Sequence, residues 1–190
     1  MKRTLIIMVK EPRPGRVKTR LARDIGVIPA TWWFRHQSAR LMRRLRDPRW
    51  RIVLAAAPDI AVNSKVWPAD LPRLPQGGGD LGQRMKRMLQ SAPGPACLIG
   101  ADIPGITRAH IARAFTALGG HDAAFGPADD GGYWLVGAKH PARLPHRLFE
   151  YTRWSSEHAL ADTLQTLPGW RIALTDTLRD VDTAADLPQR

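Results

Sequence analysis

The chain of 190 residues holds a single cysteine, Cys97. One cysteine rules out an internal disulfide and fits a reducing compartment, and its apolar neighbours mark it as a packing residue rather than a reactive thiol. Long apolar runs are also missing. The opening MKRTLIIMVK imitates an export signal, but its apolar core is only Leu5 to Val9, short of the ~7–15 residues such a signal needs. No stretch approaches the ~18 unbroken apolar residues of a membrane span. A soluble cytoplasmic protein without a membrane partner is expected. No serine stands in a nucleophile elbow, so Ser–His–Asp and Cys–His hydrolysis find no support. The Gly-Lys-Ser/Thr ending of a P-loop is absent too. Repeats, low-complexity tracts and linkers are lacking, so one domain over residues 1–190 is expected.

Acidic residues are scarce: 17 Asp and Glu stand against 29 Lys and Arg, a net charge of +12. Such a balance suits an anionic ligand or nucleic acid. The arginines are scattered, however, apart from Arg40, Arg43, Arg44 and Arg46. Those four share a helical segment whose Phe34, Ser38, Leu41 and Leu45 form the inward stripe, so they read as a solvated outer face. Nucleic acid is not the expected partner.

With 44% hydrophobic residues the chain can bury a full core. Leu5–Val9 is a short continuous apolar run, the pattern of a strand covered on both faces. Arg51–Ala56 and Ala96–Gly100 repeat it, and Arg171–Leu174 is a shorter version. Helices are predicted from about Pro29 to Arg46, after the glycine turn at 76–82 with Leu81, Met85, Met88 and Leu89 on one side, after the cap Thr107, and from Ser155 with Leu160, Leu164 and Leu167. Ala123–Pro127 and Tyr133–Gly137 read as strands flanking an acidic turn, and the stretch after Ala56 as irregular. The alternation predicts an α/β layer sandwich with a largely parallel sheet. In such sheets ligands bind beyond the carboxyl ends of the strands, where the polar motifs fall.

Five motifs carry chemistry. Lys10–Arg20 (KEPRPGRVKTR) brings cations and a flexible backbone to the first strand's end, suited to phosphate oxygens or simply to a basic surface loop. Gln76–Met85 (QGGGDLGQRM) lets a flat ligand approach the main chain, and Asp80 suits an N-cap. Asp102, in CLIGADIPGIT, is a strand-end carboxylate fit for a metal ion or for a turn. Gly126–Trp134 (GPADDGGYW) sets two adjacent carboxylates that need solvent, a cation or ligand hydroxyls, although Asp130-Gly131 also fits a plain hairpin turn. In Asp180–Asp186 (DVDTAAD), Asp180 and Asp182 point the same way if extended and offer a second hard-oxygen ligand for Mg²⁺. Trp154-Ser155 walls a pocket or packs in the core.

In this order the motifs resemble the GT-A nucleotide-diphospho-sugar transferase superfamily, and more closely a family of small bacterial glycosyltransferases, some linked to arsenosugar biosynthesis. The likeness runs nearly end to end, through KEPRPGRVKTRLA, QGGGDLGQRM, IGADIPGIT, GPADDGGYWLVG, Trp154-Ser155 and DVDTAADL. It implies a GT-A, Rossmann-like three-layer sandwich with a predominantly parallel mixed sheet. It makes Asp102 and Asp182 ligands of Mg²⁺ or Mn²⁺. Lys18 and Arg20, with Lys10 and Gly15 of the same loop, fall where nucleotide phosphates are held. Gln76 and Gly77 fall where the base is bound, and Asp80 belongs to the same nucleotide-binding set. Asp129, Asp130, Gly131, Gly132, Tyr133 and Trp154 fall where acceptor or sugar binds, with Asp129 or Asp130 a candidate base. The first loop is poorer in glycine than the usual pyrophosphorylase loop.

Glycosyl transfer from a nucleotide sugar to a small acceptor is the family-level expectation. Nucleotidyl transfer, in which a phosphorylated or carboxylated acceptor displaces pyrophosphate, is the close alternative, since a triphosphate suits the basic loop. A nucleotide-binding module without turnover is a second alternative, against which both metal-site carboxylates argue.

Overall fold

The computed structural model of the chain describes residues 2–179, 181 and 183–186. Seven strands, β1 (Arg3–Lys10), β2 (Trp50–Ala57), β3 (Arg73–Pro75), β4 (Ala96–Gly100), β5 (Ala123–Pro127), β6 (Tyr133–Ala138) and β7 (Ile172–Leu174), form one sheet in the order β3-β2-β1-β4-β6-β5-β7. β6 runs antiparallel to β4 and β5, and the remaining pairings are parallel. Among the described residues five α-helices accompany it: α1 (Thr19–Ile25), α2 (Val27–Arg44), α3 (Leu81–Gln90), α4 (Arg108–Gly120) and α5 (Ala159–Gln165).

The continuous apolar run of β1 is explained by two cores. Leu5, Ile7 and Val9 face a cluster with Phe34 and Leu41 of α2 and Ile111, Phe115 and Leu118 of α4. Ile6 faces the opposite cluster, with Met85, Met88 and Leu89 of α3 and, at its margin, Leu160 and Leu164 of α5. Period-two alternation sends successive side chains to opposite faces, so a central strand covered twice must be apolar throughout. Leu5, Ile6 and Ile7 are each sealed from solvent, and burial of each aliphatic side chain stabilises by about 1.5–3 kcal/mol. The result is the expected three-layer α/β sandwich with a mixed, mostly parallel sheet. No described helix is long and apolar enough to cross a membrane.

Several elements differ from expectation. The helix predicted from Pro29 begins at Val27, directly after Gly26, whose φ of 91° turns the chain out of α1. α1 itself was not anticipated, because in TRLARDI only Leu21 is buried. β3 falls in the stretch expected to be irregular; its three residues gain strand form only by pairing with β2. Leu81, expected on the inward side of α3, is exposed, and the buried position there is Gly82. The helix expected from Ser155 starts at Ala159, after a turn in which Ser155 takes a positive φ.

Asp80 and Thr107 do cap their helices. Each sits in a capping box, Asp80 with Gln83 and Thr107 with His110. Arg40, Arg43 and Arg46 lie on the exposed face of the α2 region, as expected. Arg44 does not. Its Nη2 donates to the Pro104 carbonyl at 2.6 Å, bracing the loop after β4, and burial lowers its pKa.

Candidate active-site cleft

A cleft of about 760 Å³ opens over the carboxyl ends of β1 and β4 and the amino end of β6. Of the site residues singled out in the sequence, Lys10, Lys18, Arg20, Gln76, Asp102, Asp130, Tyr133 and Ser155 line it. Gly15, Gly77, Asp80, Asp129, Gly131, Gly132 and Trp154 lie outside that lining. Asp180 and Asp182 fall outside the described residues, so the second expected metal ligand has no placement here.

One side-chain contact in the cleft joins residues 84 apart in sequence: Lys18 Nζ donates to Asp102 Oδ2 at 3.0 Å. The Lys18 side chain is 7% exposed and that of Asp102 40%, so the lysine is the buried partner and the carboxylate faces solvent. Lys18 precedes α1 in the left-handed conformation, φ 46° and ψ 50°. A side chain with a Cβ there costs about 1–2 kcal/mol, which the ion pair helps offset. Asp102 owes its pose to Gly100, because a Cβ at Gly100 would stand 2.8 Å from Asp102 Oδ1.

The glycine loop is fixed from several sides. Gln76 is nearly sealed, and its Nε2 donates to the Ala55 carbonyl at 2.8 Å and the Val9 carbonyl at 3.3 Å. Both amide hydrogens are thereby used, which leaves Oε1 as the only side-chain group able to meet a ligand. The Gly77 N–H donates to Asp59 Oδ1 at 2.9 Å, and Arg87 Nη1 donates to the carbonyls of Gln76 and Gly78. The Asp80 carboxylate is occupied by the Gln83 N–H at 2.8 Å.

On the far wall, Ala128–Gly132 turns the chain between β5 and β6, with the Asp130 carboxylate accepting from the Gly132 N–H at 3.0 Å. Gly131, at φ 80°, packs so closely on Glu157 that a Cβ would meet its carbonyl oxygen at 2.1 Å. The Tyr133 ring lines the cleft, but its hydroxyl pairs with Thr163 Oγ1 at 3.3 Å. Burial pushes the phenol's pKa upward against the weaker opposing effect of that bond, so the group stays protonated and is no base. Trp154 packs against Phe149 and Tyr133 and over Gly82. Arg153 pins the same segment through Asp162, whose carboxyl it holds far below the usual range.

Two charged residues of the cleft are not among the candidates read from the sequence, Arg16 and Arg84. Both stand inside motifs quoted above, and Arg84 lies one helical turn beyond the cap Asp80, a spacing that puts it at the same end of α3. Counting them, Lys10, Arg16, Lys18, Arg20 and Arg84 supply cations where Asp102 and Asp130 are the described carboxylates. Among the described residues, no group of three or more His, Cys, Asp or Glu gathers as a metal cage. Asp102, at a strand end, suits a hard cation carried in on phosphates, because Mg²⁺ keeps several waters and takes one or two protein carboxylates.

The chain is similar to a protein from Desulfovibrio desulfuricans G20 provisionally named a nucleotide-diphospho-sugar transferase. The two are 28% identical with a TM-score of 0.84 over 96% of this chain and 84% of that one. It shares its fold with CMP:2-keto-3-deoxy-manno-octonic acid synthetase complexed with CTP, at 11% identity and a TM-score of 0.59 over 97% and 95% of the two chains. It shares it also with a manganese complex of Rv0371C from Mycobacterium tuberculosis H37Rv, at 12% identity and a TM-score of 0.57 over 98% and 96%. No curated protein matches it in sequence. A family model matches residues 40–156, which run from within α2 through the Asp102 loop and the acidic turn to Ser156. On that match the chain belongs to the family described as "uncharacterized protein conserved in bacteria (DUF2064)".

Proposed function

We propose that the protein is a transferase acting on a nucleotide, and that its reaction is nucleotidyl transfer from a nucleoside triphosphate to a phosphorylated or carboxylated acceptor. The first-loop cations that line the cleft, Lys10, Arg16, Lys18 and Arg20, carry this reading. A triphosphate brings more negative charge to be neutralised than the diphosphate of a nucleotide sugar. The CTP-bound structure of the same fold is consistent with it.

In this proposal Lys18 and Arg20, with Lys10, hold the phosphate chain, and the buried Gln76 offers Oε1 to an N–H of the base. An acceptor oxygen attacks the α-phosphorus; the bond from that phosphorus to the bridging oxygen breaks, and pyrophosphate leaves with the electron pair. Catalysis is then positioning and charge neutralisation, which fixed cations supply without covalent help from the protein. Asp102, together with Asp182, would hold a divalent ion. Mg²⁺ or Mn²⁺ there would screen charge on the phosphates.

Glycosyl transfer is the second reading, favoured by the name of the 28% identical relative. There the exposed Asp130 carboxylate at the cleft would orient or deprotonate an acceptor hydroxyl. Products separate the two. With Mg²⁺ or Mn²⁺ and panels of triphosphates, nucleotide sugars and acceptors, acceptor-dependent pyrophosphate is the expected product. Nucleoside diphosphate released from a nucleotide sugar would overturn the first reading in favour of the second. Asp102→Asn should weaken metal-dependent nucleotide binding at least tenfold in a calorimetric titration, and unchanged affinity would remove Asp102 from the site.

A further inference from the structure

The first-loop cations lie on one side of the sheet edge. Val17, next to Lys18, packs into the cluster of α2 and α4, whereas Met85, next to Arg84, packs into the cluster of α3 on the opposite face. Arg84 therefore approaches the cleft across the sheet edge from Lys18. Its Nε donates to the Gly79 carbonyl at 2.9 Å. That bond restrains the plane of the guanidinium of this half-buried residue and leaves the two Nη groups to turn to a ligand.

Other arginines here are neutralised: Arg46 by Asp70, Arg113 by Asp176 and Arg153 by Asp162. Among the described residues Arg84 meets no carboxylate, although it lines the cleft. Two residues earlier on α3, Gly82 packs against Trp154, whose ring meets Tyr133. The following Ser155 lines the cleft as well. Arg84 thus reaches the cleft from α3, at the glycine loop whose Gly79 carbonyl its Nε holds, and not from the first loop.

We propose that Arg84 is the binding and specificity residue for an oxyanion, phosphate or carboxylate, on the second substrate. The cleft then takes two anionic groups, a polyphosphate at Lys18 and Arg20 and a separate oxyanion at Arg84. A guanidinium held through Nε presents its Nη edge as a fork that matches two oxygens of one phosphate or carboxylate. This rests on the reading of the cleft as a nucleotide site and names the chemistry of its acceptor.

The test uses the full chain with inorganic probes. Tripolyphosphate with Mg²⁺ is titrated first, and inorganic phosphate or acetate is then titrated into the tripolyphosphate-saturated protein, followed by calorimetry and, for phosphate, by ³¹P line broadening. Arg84→Met is expected to weaken the second anion at least tenfold while tripolyphosphate affinity stays within twofold. Lys18→Met is expected to do the reverse. Arg84→Lys, which keeps the charge but loses the fork, should recover part of the phosphate binding, and thermal melting confirms that each variant is folded. The comparison of phosphate with acetate tells which oxyanion the site takes.

Three results would overturn the proposal: Arg84→Met weakening tripolyphosphate as much as Lys18→Met does, no phosphate or acetate binding to the loaded wild type, or equal binding of the second anion by wild type and Arg84→Met. Failure of tripolyphosphate and of nucleoside triphosphates to bind at all would instead refute the nucleotide reading itself.

Discussion

Replacing Lys18 by methionine should move two affinities in opposite directions. Without nucleotide, the Lys18 ammonium sits 3.0 Å from Asp102 Oδ2, so a divalent ion approaching that carboxylate competes with a tethered cation. A hydrogen bond to a charged group contributes about 1.5–3 kcal/mol. Asp102 is 40% exposed, so solvent screening places the pair at the low end of that range. About 1.5 kcal/mol corresponds to roughly a tenfold change in affinity. Lys18→Met should therefore bind Mn²⁺ alone about tenfold more tightly than the wild type, read by paramagnetic resonance of the free ion. The same variant should bind triphosphate at least tenfold more weakly, since it loses a buried phosphate contact. Folding stability should change by no more than about 1 kcal/mol, because methionine preserves most of the stem's volume and removes the cost of burying an ammonium. Mn²⁺ affinity that stays level or falls would show that Lys18 does not compete for Asp102. Unaltered triphosphate affinity would show that it does not serve the phosphates.

Cys97 is fully buried, and desolvation pushes its thiol pKa well above the ordinary value. A thiol reagent at neutral pH should label it only as fast as the protein unfolds, and labelling faster than unfolding would contradict the packing role. Asp122, Asp162 and Asp176 are each held below the usual carboxylate range, first of all by hydrogen bonds from Arg171, Arg153 and Arg113. Since their pKa values are depressed in the folded state, their contribution is complete above the unfolded carboxyl value and is lost as pH falls through the folded one. Melting temperature should hold down to roughly pH 4 and decline below it, with 1 M salt flattening the decline. Gly131→Ala should destabilise by about 2–4 kcal/mol in a denaturant titration, because a Cβ there meets backbone at Glu157 and the residue has a positive φ. A change under about 0.5 kcal/mol would mean that the turn relaxes freely.

How far the sequence reveals this arrangement depends on where the physics is local. β1, β2 and β4 were legible because a strand buried on both faces must be apolar throughout, whatever its neighbours are. The caps Asp80 and Thr107 were legible because a capping box is completed within four residues. α1 and β3 were not, since neither carries its own apolar pattern: α1 is held by α2, and β3 exists through its register with β2. Leu81 was misplaced because the inward position of that turn is a glycine, Gly82, chosen for close approach by Phe149 and Trp154 rather than for hydrophobicity. A periodicity argument counts apolar side chains and has no term for a missing one.

The site follows the same division. Its residue types could be read in place, because polar residues at strand ends are conspicuous in an apolar sheet. Their partnership could not, because it is a consequence of strand order. β1 pairs in parallel with β4, with Met8 opposite Gly100, so whatever follows those two strands emerges at one edge. Lys18 comes after the first and Asp102 after the second, and their ion pair spans 84 positions for that reason alone. Arg84 arrives from the opposite face because α3 packs there. A sheet with β4 paired elsewhere would keep every motif and every element and would have no such cleft. The chemistry proposed for this protein therefore depends on the β1–β4 ladder as directly as on the charged side chains, and Gly100, at the last paired position of β4, belongs to both.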